Sequence, residues 1–342
     1  MKLTAHFNYF MTNTVNMDET RLRDLARSVQ ALYDTLVADD TFGPTIIDKH
    51  PQGSWAQATI IKPVDGREFD ADFMLVMLHQ PDWDPSDYLD NLAAAIKRSS
   101  YGKTHKVTRK NRCVRVHYAE YHVDIVPFTV LPDGRQVIAH SQTADDGMVV
   151  DEWEDTAPAA FTRWMQTRDG IASGHLRRTI RLMKYLRDHH MHFKRSRSVI
   201  LTVILGERIS AAKKTVDPGY YADLPTAFVH VLEDLDAWMD ANPTLPPLDD
   251  PSGANNNFSH RWTQESYESL AKNVKTIAAD ARAAISDDLD VDESLEAWQK
   301  IFGPDFKRPP DTGGRGSSSG PGGAGSAAAA GVIASKISSR GG

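Results

Sequence analysis

Hydrophobic residues near the start of the chain recur at the spacing of an amphipathic helix. The pattern covers residues 16–39 and gives one apolar stripe that suits packing against a core. Asn16 can cap this helix, and Glu19 lies where a capping box places its acidic partner. Residues 40–51 show no such periodicity, so we expect a loop there. The stripe consists of Leu22, Leu25, Val29, Leu32, Tyr33 and Leu36.

Several segments further along the chain have the composition of strands. Residues 68–78 are strongly apolar apart from their carboxylates, which indicates a buried strand. Residues 112–118 and 121–130 flank a two-residue connection, so they are predicted to pair as antiparallel strands. With a short strand at residues 136–139, these segments predict a mixed sheet accompanied by a few helices.

The second half of the chain is predicted to be helical. Ser173 can cap a helix over residues 174–190. Further helices are expected at residues 225–240, 259–284 and 287–302. The predicted fold class is therefore α+β, with a mixed sheet and helices in the first half and an α-helical second domain. The apolar face of the helix after Ser173 consists of Leu176, Ile180, Met183 and Leu186.

The composition changes near the end of the chain. From residue 309 onward Gly, Ser, Ala and Pro dominate, so little surface can be buried and we expect a flexible tail. We therefore divide the chain into three regions. Residues 1–165 form a core that includes the N-terminal helix, residues 166–308 form the helical domain, and residues 309–342 form the tail.

Charge and cysteine content limit the class of protein. The chain has 342 residues and a net charge of −7, which argues mildly against a protein that lives on long duplex nucleic acid. Its single cysteine, Cys113, excludes an internal disulfide and fits a reducing compartment. No segment approaches the roughly 20 apolar residues of a membrane span, and the N-terminus lacks the order of a secretion signal. We expect a cytoplasmic protein with no membrane partner.

Carboxylates on the predicted strands are the main chemical signal. Side chains alternate across a strand, so Asp70 and Asp72 leave from the same face. Two carboxylates on an otherwise apolar face repel each other and resist burial, and a cation such as Mg²⁺ between them removes both costs. Asp124 lies at the centre of a later strand, and three acids on neighbouring strands are typical of two-metal phosphoryl transfer. The alternative is a pair of aspartates on the solvated face of an edge strand.

The order of these motifs resembles the polymerase-β-like nucleotidyltransferase superfamily. A Gly-Ser pair comes first, then Asp-x-Asp, then a lone Asp on a later apolar strand. In that superfamily the Gly-Ser pair opens a short helix whose N–H groups and hydroxyl hold the triphosphate of the incoming nucleotide. The resemblance implies a nucleotidyltransferase core packed against an α-helical domain, with Gln52, Gly53, Ser54 and Ser198 as nucleotide-binding residues.

Basic residues provide further candidates for holding phosphate. Arg177, Arg181 and Lys184 share one helix face, where three cations repel unless an anion or acidic neighbours lie there. Two interpretations are open: a solvated basic face, or a triphosphate clamp in which Lys184 is the favoured residue. The basic run at residues 103–110 leaves a similar choice between a solvated loop and contact with substrate phosphates.

Seven segments in order narrow the resemblance to the bacterial cGAS/DncV-like nucleotidyltransferases (CD-NTases) of CBASS anti-phage systems. The resemblance covers residues 1–305 and implies an enzyme that joins NTPs, ATP expected among them, into a cyclic di- or trinucleotide with release of pyrophosphate. It implies two Mg²⁺ ions, for which Mn²⁺ can substitute, held by the catalytic residues Asp70, Asp72 and Asp124. The product would act on a downstream effector, and no strong sign of DNA binding is present. The segments are residues 7–10, 52–59, 69–72, 123–127, 153–158, 182–187 and 249–257.

The last residues, Arg340, Gly341 and Gly342, suggest a protein partner. In some of the systems that the chain resembles, a partner with ubiquitin-activating and ubiquitin-conjugating-like (E1/E2-like) domains links the C-terminal residue of the synthase to a target. An unbranched terminal glycine can enter a narrow adenylating site, so Gly342 is the candidate conjugation residue. The alternative is a chain end that carries no such information.

Two other functions are open. The chain could transfer one nucleotide to a tRNA or protein acceptor, as other members of the superfamily do. It could also be a non-catalytic nucleotide-binding member of the fold, which would require a lost metal ligand, whereas all three acids are present. The length of the chain and its helical second half favour cyclic oligonucleotide synthesis.

Overall fold

A seven-stranded sheet is built from the first half of the chain. The computed structural model describes residues 1–63, 69–143, 147–190, 193 and 195–310, apart from the side chain of His190. The strands are β1 (Ile46–Gln52), β2 (Phe69–Met77), β3 (Lys106–Arg109), β4 (Val114–His117), β5 (Tyr121–Val130), β6 (Gln136–Thr143) and β7 (Val149–Asp155). Their order is β1-β2-β5-β4-β3, and β6 pairs with both β5 and β7. Strands β2 and β5 run parallel and the other neighbours antiparallel, so the sheet is mixed as predicted.

One face of the sheet is covered by two long helices, α2 (Glu19–Val37) and α4 (Pro85–Arg98). The apolar stripes of both helices pack on strand residues such as Val123 and Ile125, which are fully buried. This arrangement explains the apolar character of β2 and β5, because central strands are covered rather than solvated. Four members of the predicted stripe of α2 are fully buried: Leu25, Val29, Leu32 and Leu36.

The remaining long helices share a second hydrophobic cluster. The N-terminal helix α1 (Thr4–Phe10) and the π-helical turn Met11–Val15 belong to this cluster, although they precede the sheet in the chain. Phe7 packs edge-on against Trp298, with ring centroids 4.8 Å apart. The other helices are α3 (Gly53–Ala56), α5 (Ser100–Thr104), α6 (Pro158–Ile171), α7 (Leu176–His190), α8 (Ser198–Gly206), α9 (Ala211–Val216), α10 (Leu224–Ala241), α11 (Gln264–Ala284) and α12 (Val291–Phe302).

The predicted α+β fold class is confirmed, with a helical second half that follows the sheet. Residues Met1–Arg308 form one compact unit. A division of this unit near residue 165 would fall inside α6 and stays a prediction. The predicted tail from residue 311 onward lies outside the described residues. In the described part of the chain, no helix has both the length and the apolar character needed to cross a bilayer.

Four predicted helix starts are wrong. Helices α11 and α12 begin at Gln264 and Val291 rather than at residues 259 and 287. Helix α2 begins at Glu19 and is capped by Asp18, whose carboxylate accepts the N–H of Arg21 at 2.8 Å. Asn16 instead accepts a hydrogen bond from Arg181, at 2.8 Å. Ser173 does not cap α7, which begins at Leu176.

The helix start at α7 has a different cap. The carboxylate of Asp169, in the preceding helix, accepts the N–H of Arg177 at 3.0 Å. Ser173 has a positive φ of 55°, so it lies in the turn between the helices. A cap supplied from an earlier helix leaves no local sequence signal, because the usual cap residue immediately precedes its helix.

Two predicted loops contain strands. Strand β1 begins inside the predicted loop at residues 40–51 and ends at Gln52, and β3 lies within the basic run at residues 103–110. Both strands end the main path of the sheet, and most of their side chains are exposed or half-buried. Edge strands need no apolar run, which explains why hydrophobic periodicity did not reveal them.

Candidate active site

Four neighbouring strands place four polar residues in one row across the sheet. Asp72 of β2 lies opposite Asp124 of the parallel strand β5. Gln52 of β1 is the partner of Asp72 on its other side, and Arg115 of β4 is the partner of Asp124. Directly paired residues project from the same face of a sheet, so these side chains are neighbours. Asp70, two residues before Asp72, projects from this face as well.

Arg115 is bound to two of the three acids. Its Nε donates to Asp124 Oδ1 and its Nη2 to Asp124 Oδ2, both at 2.7 Å. The same Nη2 lies 3.2 Å from Asp70 Oδ1. The side chain of Asp124 is 9% exposed and that of Asp70 is 58% exposed, so the first contact is largely shielded from water and the second is not. Hydrogen bonding to Asp124 raises the pKa of Arg115, which stays cationic.

Of the three acids, Asp72 has the environment that most disfavours a negative charge. Burial, together with the negative charges of Asp124 and Asp70, raises the pKa of Asp72 from 3.8 to about 7. The face that carries it continues into a small buried apolar cluster formed by Met74, Val126 and Phe128. Among the described residues, Asp72 makes no ion pair. A half-buried carboxylate beside two others is therefore left with its charge only partly compensated.

The phosphate loop predicted from the sequence lies directly against this acid. Gly53 has a positive φ of 59°, and a Cβ added to it would lie 2.4 Å from Asp72 Oδ2. A glycine is required here for both the backbone conformation and the close approach. The short helix α3 begins at Gly53, so Ser54 follows in its first turn. Gln52, Gly53 and Ser54 therefore lie beside the acids, as the order of motifs predicted.

Lys184 of α7 faces the same region. Its side chain is 3% exposed, and its ammonium donates to the backbone oxygen of Thr59 at 2.9 Å and to the Thr59 hydroxyl at 3.2 Å. Burial and the nearby Arg187 lower the pKa of Lys184 to about 7, while Asp72 opposes this shift. The interpretation of a solvated basic face is wrong for Lys184, which is buried. It is also wrong for Arg181, because burial lowers the pKa of its guanidinium to about 10. The triphosphate clamp stays a prediction.

Ser198 lies at a basic cavity of about 740 Å³. Its hydroxyl accepts a hydrogen bond from Arg187, one turn after Lys184, at 3.2 Å. Arg197 and Arg261 also line the cavity, and within the described residues neither makes an ion pair. The negative charge of Asp72 makes a small contribution to the pKa of Arg261, so this arginine lies within electrostatic reach of the acids. Serine was predicted here from the resemblance, but Arg197 and Arg261 were not predicted as site residues, because no motif marks them.

The donor atoms on this face fit divalent cations. Asp70, Asp72 and Asp124 offer six carboxylate oxygens, the hard ligands that Mg²⁺ and Mn²⁺ prefer. The raised pKa of Asp72 shows that its negative charge is under-compensated, which a bound cation would correct. Cys113 adds no thiolate ligand to this donor set. Burial and the neighbouring Asp124 raise the pKa of its thiol, so the thiol stays protonated.

A second group of potential ligands lies elsewhere on the sheet. Ligand atoms of His140, Glu152 and Glu154 lie within 4.8 Å of one another. Arg112 already forms a two-pronged ion pair with Glu154, and Nδ1 of His140 lies 3.0 Å from the same carboxylate. The charge of Glu154 is thus compensated by protein side chains, in contrast to that of Asp72. This group was not predicted from the sequence.

Arg115 was also missed, although the sequence contains a signal for it. Strands β4 and β5 flank the two residues Ala119 and Glu120. If the strands pair symmetrically about that connection, the partner of residue 124 is residue 115, and the structure has this register. The basic residue opposite the third acid could therefore have been read from the hairpin that was predicted.

The raised pKa of Asp72 predicts an unusual pH dependence of stability in metal-free protein. Because the folded-state pKa of about 7 exceeds the unfolded value near 3.8, ionisation of Asp72 destabilises the fold as pH rises between these values. The cost is complete above pH 7 and is on the order of 4 kcal/mol. We expect Asp72→Asn to raise the free energy of unfolding at pH 8 by a few kcal/mol, and by much less at pH 4.5. Urea unfolding in EDTA measures this.

Asp70→Asn is the matched control for this measurement. Asp70 lies on the same strand, but its carboxylate is mostly exposed and paired with Arg115, so its substitution should change stability by about 1 kcal/mol or less. Equal unfolding free energies of Asp72→Asn and the unchanged protein at pH 8 would contradict the electrostatic account.

Comparison with known proteins identifies the family. Residues 1–169 match the family described as "Second Messenger Oligonucleotide or Dinucleotide Synthetase domain" (SMODS). Over 306 residues the chain is 24% identical to a cyclic AMP-AMP-AMP synthase of an Acinetobacter species. The aligned region covers 87% of this chain and 84% of that protein.

Two solved structures share the fold. The CD-NTase CdnG of Bradyrhizobium diazoefficiens, in complex with GTP, superposes with a TM-score of 0.68 at 18% identity, covering 88% of this chain and 96% of that one. CdnC of E. coli MS115-1 with ATP gives a TM-score of 0.63 at 19% identity, covering 89% and 99%. The matched family, the related synthase and the shared fold agree with the motifs and with the row of acids: residues 1–169 form a SMODS domain, and the chain has the fold of the CD-NTases CdnG and CdnC.

Proposed function

We propose that this protein joins NTPs into a cyclic di- or trinucleotide and releases pyrophosphate. The observation that carries the proposal is the direct pairing of Asp72 with Asp124, with Gly53 in contact with Asp72. This arrangement puts the predicted triphosphate loop and the predicted metal ligands at one point of the sheet. The related protein named as a cyclic AMP-AMP-AMP synthase supports the same reaction class.

Asp70, Asp72 and Asp124 are proposed to hold two Mg²⁺ ions, for which Mn²⁺ can substitute. When bound, the ions supply positive charge that stabilises the reacting phosphate and lowers the pKa of the acceptor ribose hydroxyl. The chain itself fixes where that charge lies, because Asp72 and Asp124 are held in register by their strands. Asp70 is mostly exposed, so it is the acid that faces the open side of the site.

Basic and small residues around the acids are proposed to hold the triphosphate. Gly53 leaves space beside Asp72, and Gln52 and Ser54 flank it. Lys184 faces Asp72 from α7, and its partners are neutral oxygens of Thr59 rather than a carboxylate. A triphosphate beside it would favour the protonated, positively charged form of this lysine. Ser198 lies at the mouth of the arginine-lined cavity.

Two arginines of that cavity, which form no ion pair within the part of the chain that the structure describes, strengthen the proposal. A nucleoside triphosphate carries about four negative charges near neutral pH, and Arg197 and Arg261 offer planar donors that match phosphate oxygens. Four arginines line the cavity, and its volume of about 740 Å³ is within the usual range for small-ligand sites. We therefore place the phosphates of the donor nucleotide between the acids and this cavity.

Each bond-forming step uses the same residues. The acceptor hydroxyl attacks the α-phosphorus, a new P–O bond forms, the bond to the bridging oxygen breaks, and pyrophosphate leaves while the hydroxyl proton passes to solvent. The linear product stays bound, re-orients and undergoes a closing attack. ATP is expected among the substrates because the related synthase is named for an adenine-only product. We further propose that the product activates an effector in anti-phage defence.

A pooled reaction tests this function. Purified full-length protein with all four NTPs and Mg²⁺ or Mn²⁺ should give a phosphatase-resistant product whose mass is that of a cyclic di- or trinucleotide. The double variant Asp70→Asn with Asp72→Asn should abolish product while remaining folded, because it removes mutually repelling charges. A double variant that makes product at the unchanged rate would overturn the metal assignment.

Other products in the same reaction distinguish the remaining functions. Label transferred to a tRNA or to protein would support nucleotide addition to a macromolecular acceptor. Metal-dependent NTP binding without product would indicate a missing activator, and absence of both binding and turnover would favour a non-catalytic member of the fold.

Glycine substitutions test the close approach of the phosphate loop. Gly53→Ala should lower kcat/KM at least about a hundredfold, because its Cβ would displace the Asp72 carboxylate and about 1 Å of misplacement can have that effect. Gly134→Ala is the matched control: Gly134 also has a positive φ, of 86°, but nothing lies within 4 Å of its added Cβ. Steady-state kinetics should show a small effect for the control. Equal losses in both variants would mean that backbone strain alone is responsible.

The chain end is proposed to be a conjugation site. Gly342 lies outside the described residues, and the proposal rests on the sequence Arg340-Gly341-Gly342 and on the family that the chain resembles. Chemically, an E1/E2-like partner would adenylate the Gly342 carboxylate, pass the acyl group to a thiol and then form a bond to a target nucleophile. The absence of side chains at both terminal positions suits entry into a narrow site.

Deletion of Gly341 and Gly342 should remove covalent adducts of this protein in cells that contain the E1/E2-like partner. Immunoblotting under denaturing conditions measures the adducts, and product formation from NTPs by the purified deletion variant should be unchanged. Adducts that persist after the deletion would show that the chain end is not the attachment point.

A further inference from the structure

Arg115 occupies the position where the metal ligands converge. It donates to both oxygens of Asp124 at 2.7 Å and also contacts Asp70 at 3.2 Å. Two of the three proposed ligands are therefore paired with a protein cation. Asp72, between them on the sheet, makes no ion pair among the described residues. The guanidinium is 23% exposed, so it lies at the edge of the site rather than deep in the core.

The packing of β4 does not need this arginine. Val114 and Val116, its neighbours on the strand, are fully buried on the opposite face against the sheet cluster. Backbone pairing with β3 and β5 holds the strand on both sides. The side chain of Arg115 projects to the face of the acids, where a positive charge near a bound divalent cation would be repelled.

We propose that Arg115 is a built-in counter-ion that competes with divalent cations for Asp70 and Asp124 until a nucleotide binds. This inference rests on the proposed function, because it takes the three acids as metal ligands. Without nucleotide, Arg115 compensates part of the negative charge and keeps metal affinity low. An incoming NTP brings its own cation and offers phosphate oxygens, to which the guanidinium can transfer its hydrogen bonds.

Arg115 is thus a positioning residue that links metal loading to substrate arrival. It acts through the carboxylates and need not contact the reacting atoms. The consequence is specific: removal of the arginine charge should strengthen metal binding in the absence of nucleotide. A purely structural role for the ion pair predicts weaker or unchanged metal binding, because Asp124 would lose its orientation.

Binding of Mn²⁺ alone to the full-length protein, followed by the electron paramagnetic resonance signal of free Mn²⁺, tests the inference. We expect Arg115→Gln to tighten nucleotide-free binding by about tenfold or more, since a unit positive charge within a few Å of the ion is removed. Arg115→Lys keeps a cation but loses the two-pronged contact, so it should tighten binding less. A non-hydrolysable NTP should bring the unchanged protein close to the affinity of Arg115→Gln.

Two controls separate the possible failures. Arg135→Gln removes an arginine that pairs with Asp133 and Asp155 in an exposed turn, and it should leave Mn²⁺ affinity unchanged. The double variant Asp70→Asn with Asp72→Asn should lose Mn²⁺ binding. If that loss occurs but neither Arg115 variant binds Mn²⁺ more tightly, the counter-ion inference is wrong and the metal assignment stands. If the double variant binds Mn²⁺ normally with nucleotide present, the metal assignment itself is wrong.

Discussion

Repulsion between carboxylates held in register by parallel strands is the constraint on which this site depends. Asp72 and Asp124 are direct partners across β2 and β5, so neither can move away without breaking the sheet. Asp70 adds a third charge on the same face. Burial of Asp72 then raises its pKa to about 7, because the protein gives this carboxylate little compensation. A site of this kind gains stability when cations arrive, which is the property that a metal-dependent enzyme needs.

The compensation that the protein does provide comes from two directions. Arg115 of the neighbouring strand neutralises part of the charge of Asp124 and Asp70, within the sheet. Lys184 and the cavity arginines come from the helical half of the chain, across from the acids. The acids therefore lie on strands of the sheet, and most of the surrounding cations lie in the helical half of the chain. A polyanionic substrate with bound cations complements both sets of charges at once.

Much of this arrangement could be predicted because central strands leave strong patterns. The segments around Asp70, Asp72 and Asp124 are apolar on both sides of each acid, and their alternation fixes the shared face. Strands β1 and β3 could not be recognised in this way, since edge strands are only partly buried. At α7 the helix start could not be recognised, because its cap comes from Asp169 of the preceding helix. The burial of Lys184 was also hidden, because a lysine on a helix face does not reveal which element packs over it.

Register explains why some site residues were accessible to sequence reasoning and others were not. The hairpin between β4 and β5 has a two-residue connection, so it determines that Arg115 faces Asp124. The pairing of β2 with β5 spans more than forty intervening residues, so no local rule determines that Asp72 lies opposite Asp124. What determines it is the chemistry of the acids themselves: an offset of one residue would turn Asp124 to the opposite face of the sheet, which is buried under α2 and α4. The same carboxylates that repel each other therefore also exclude the competing register, and this links the specificity of the fold to the chemistry of the site.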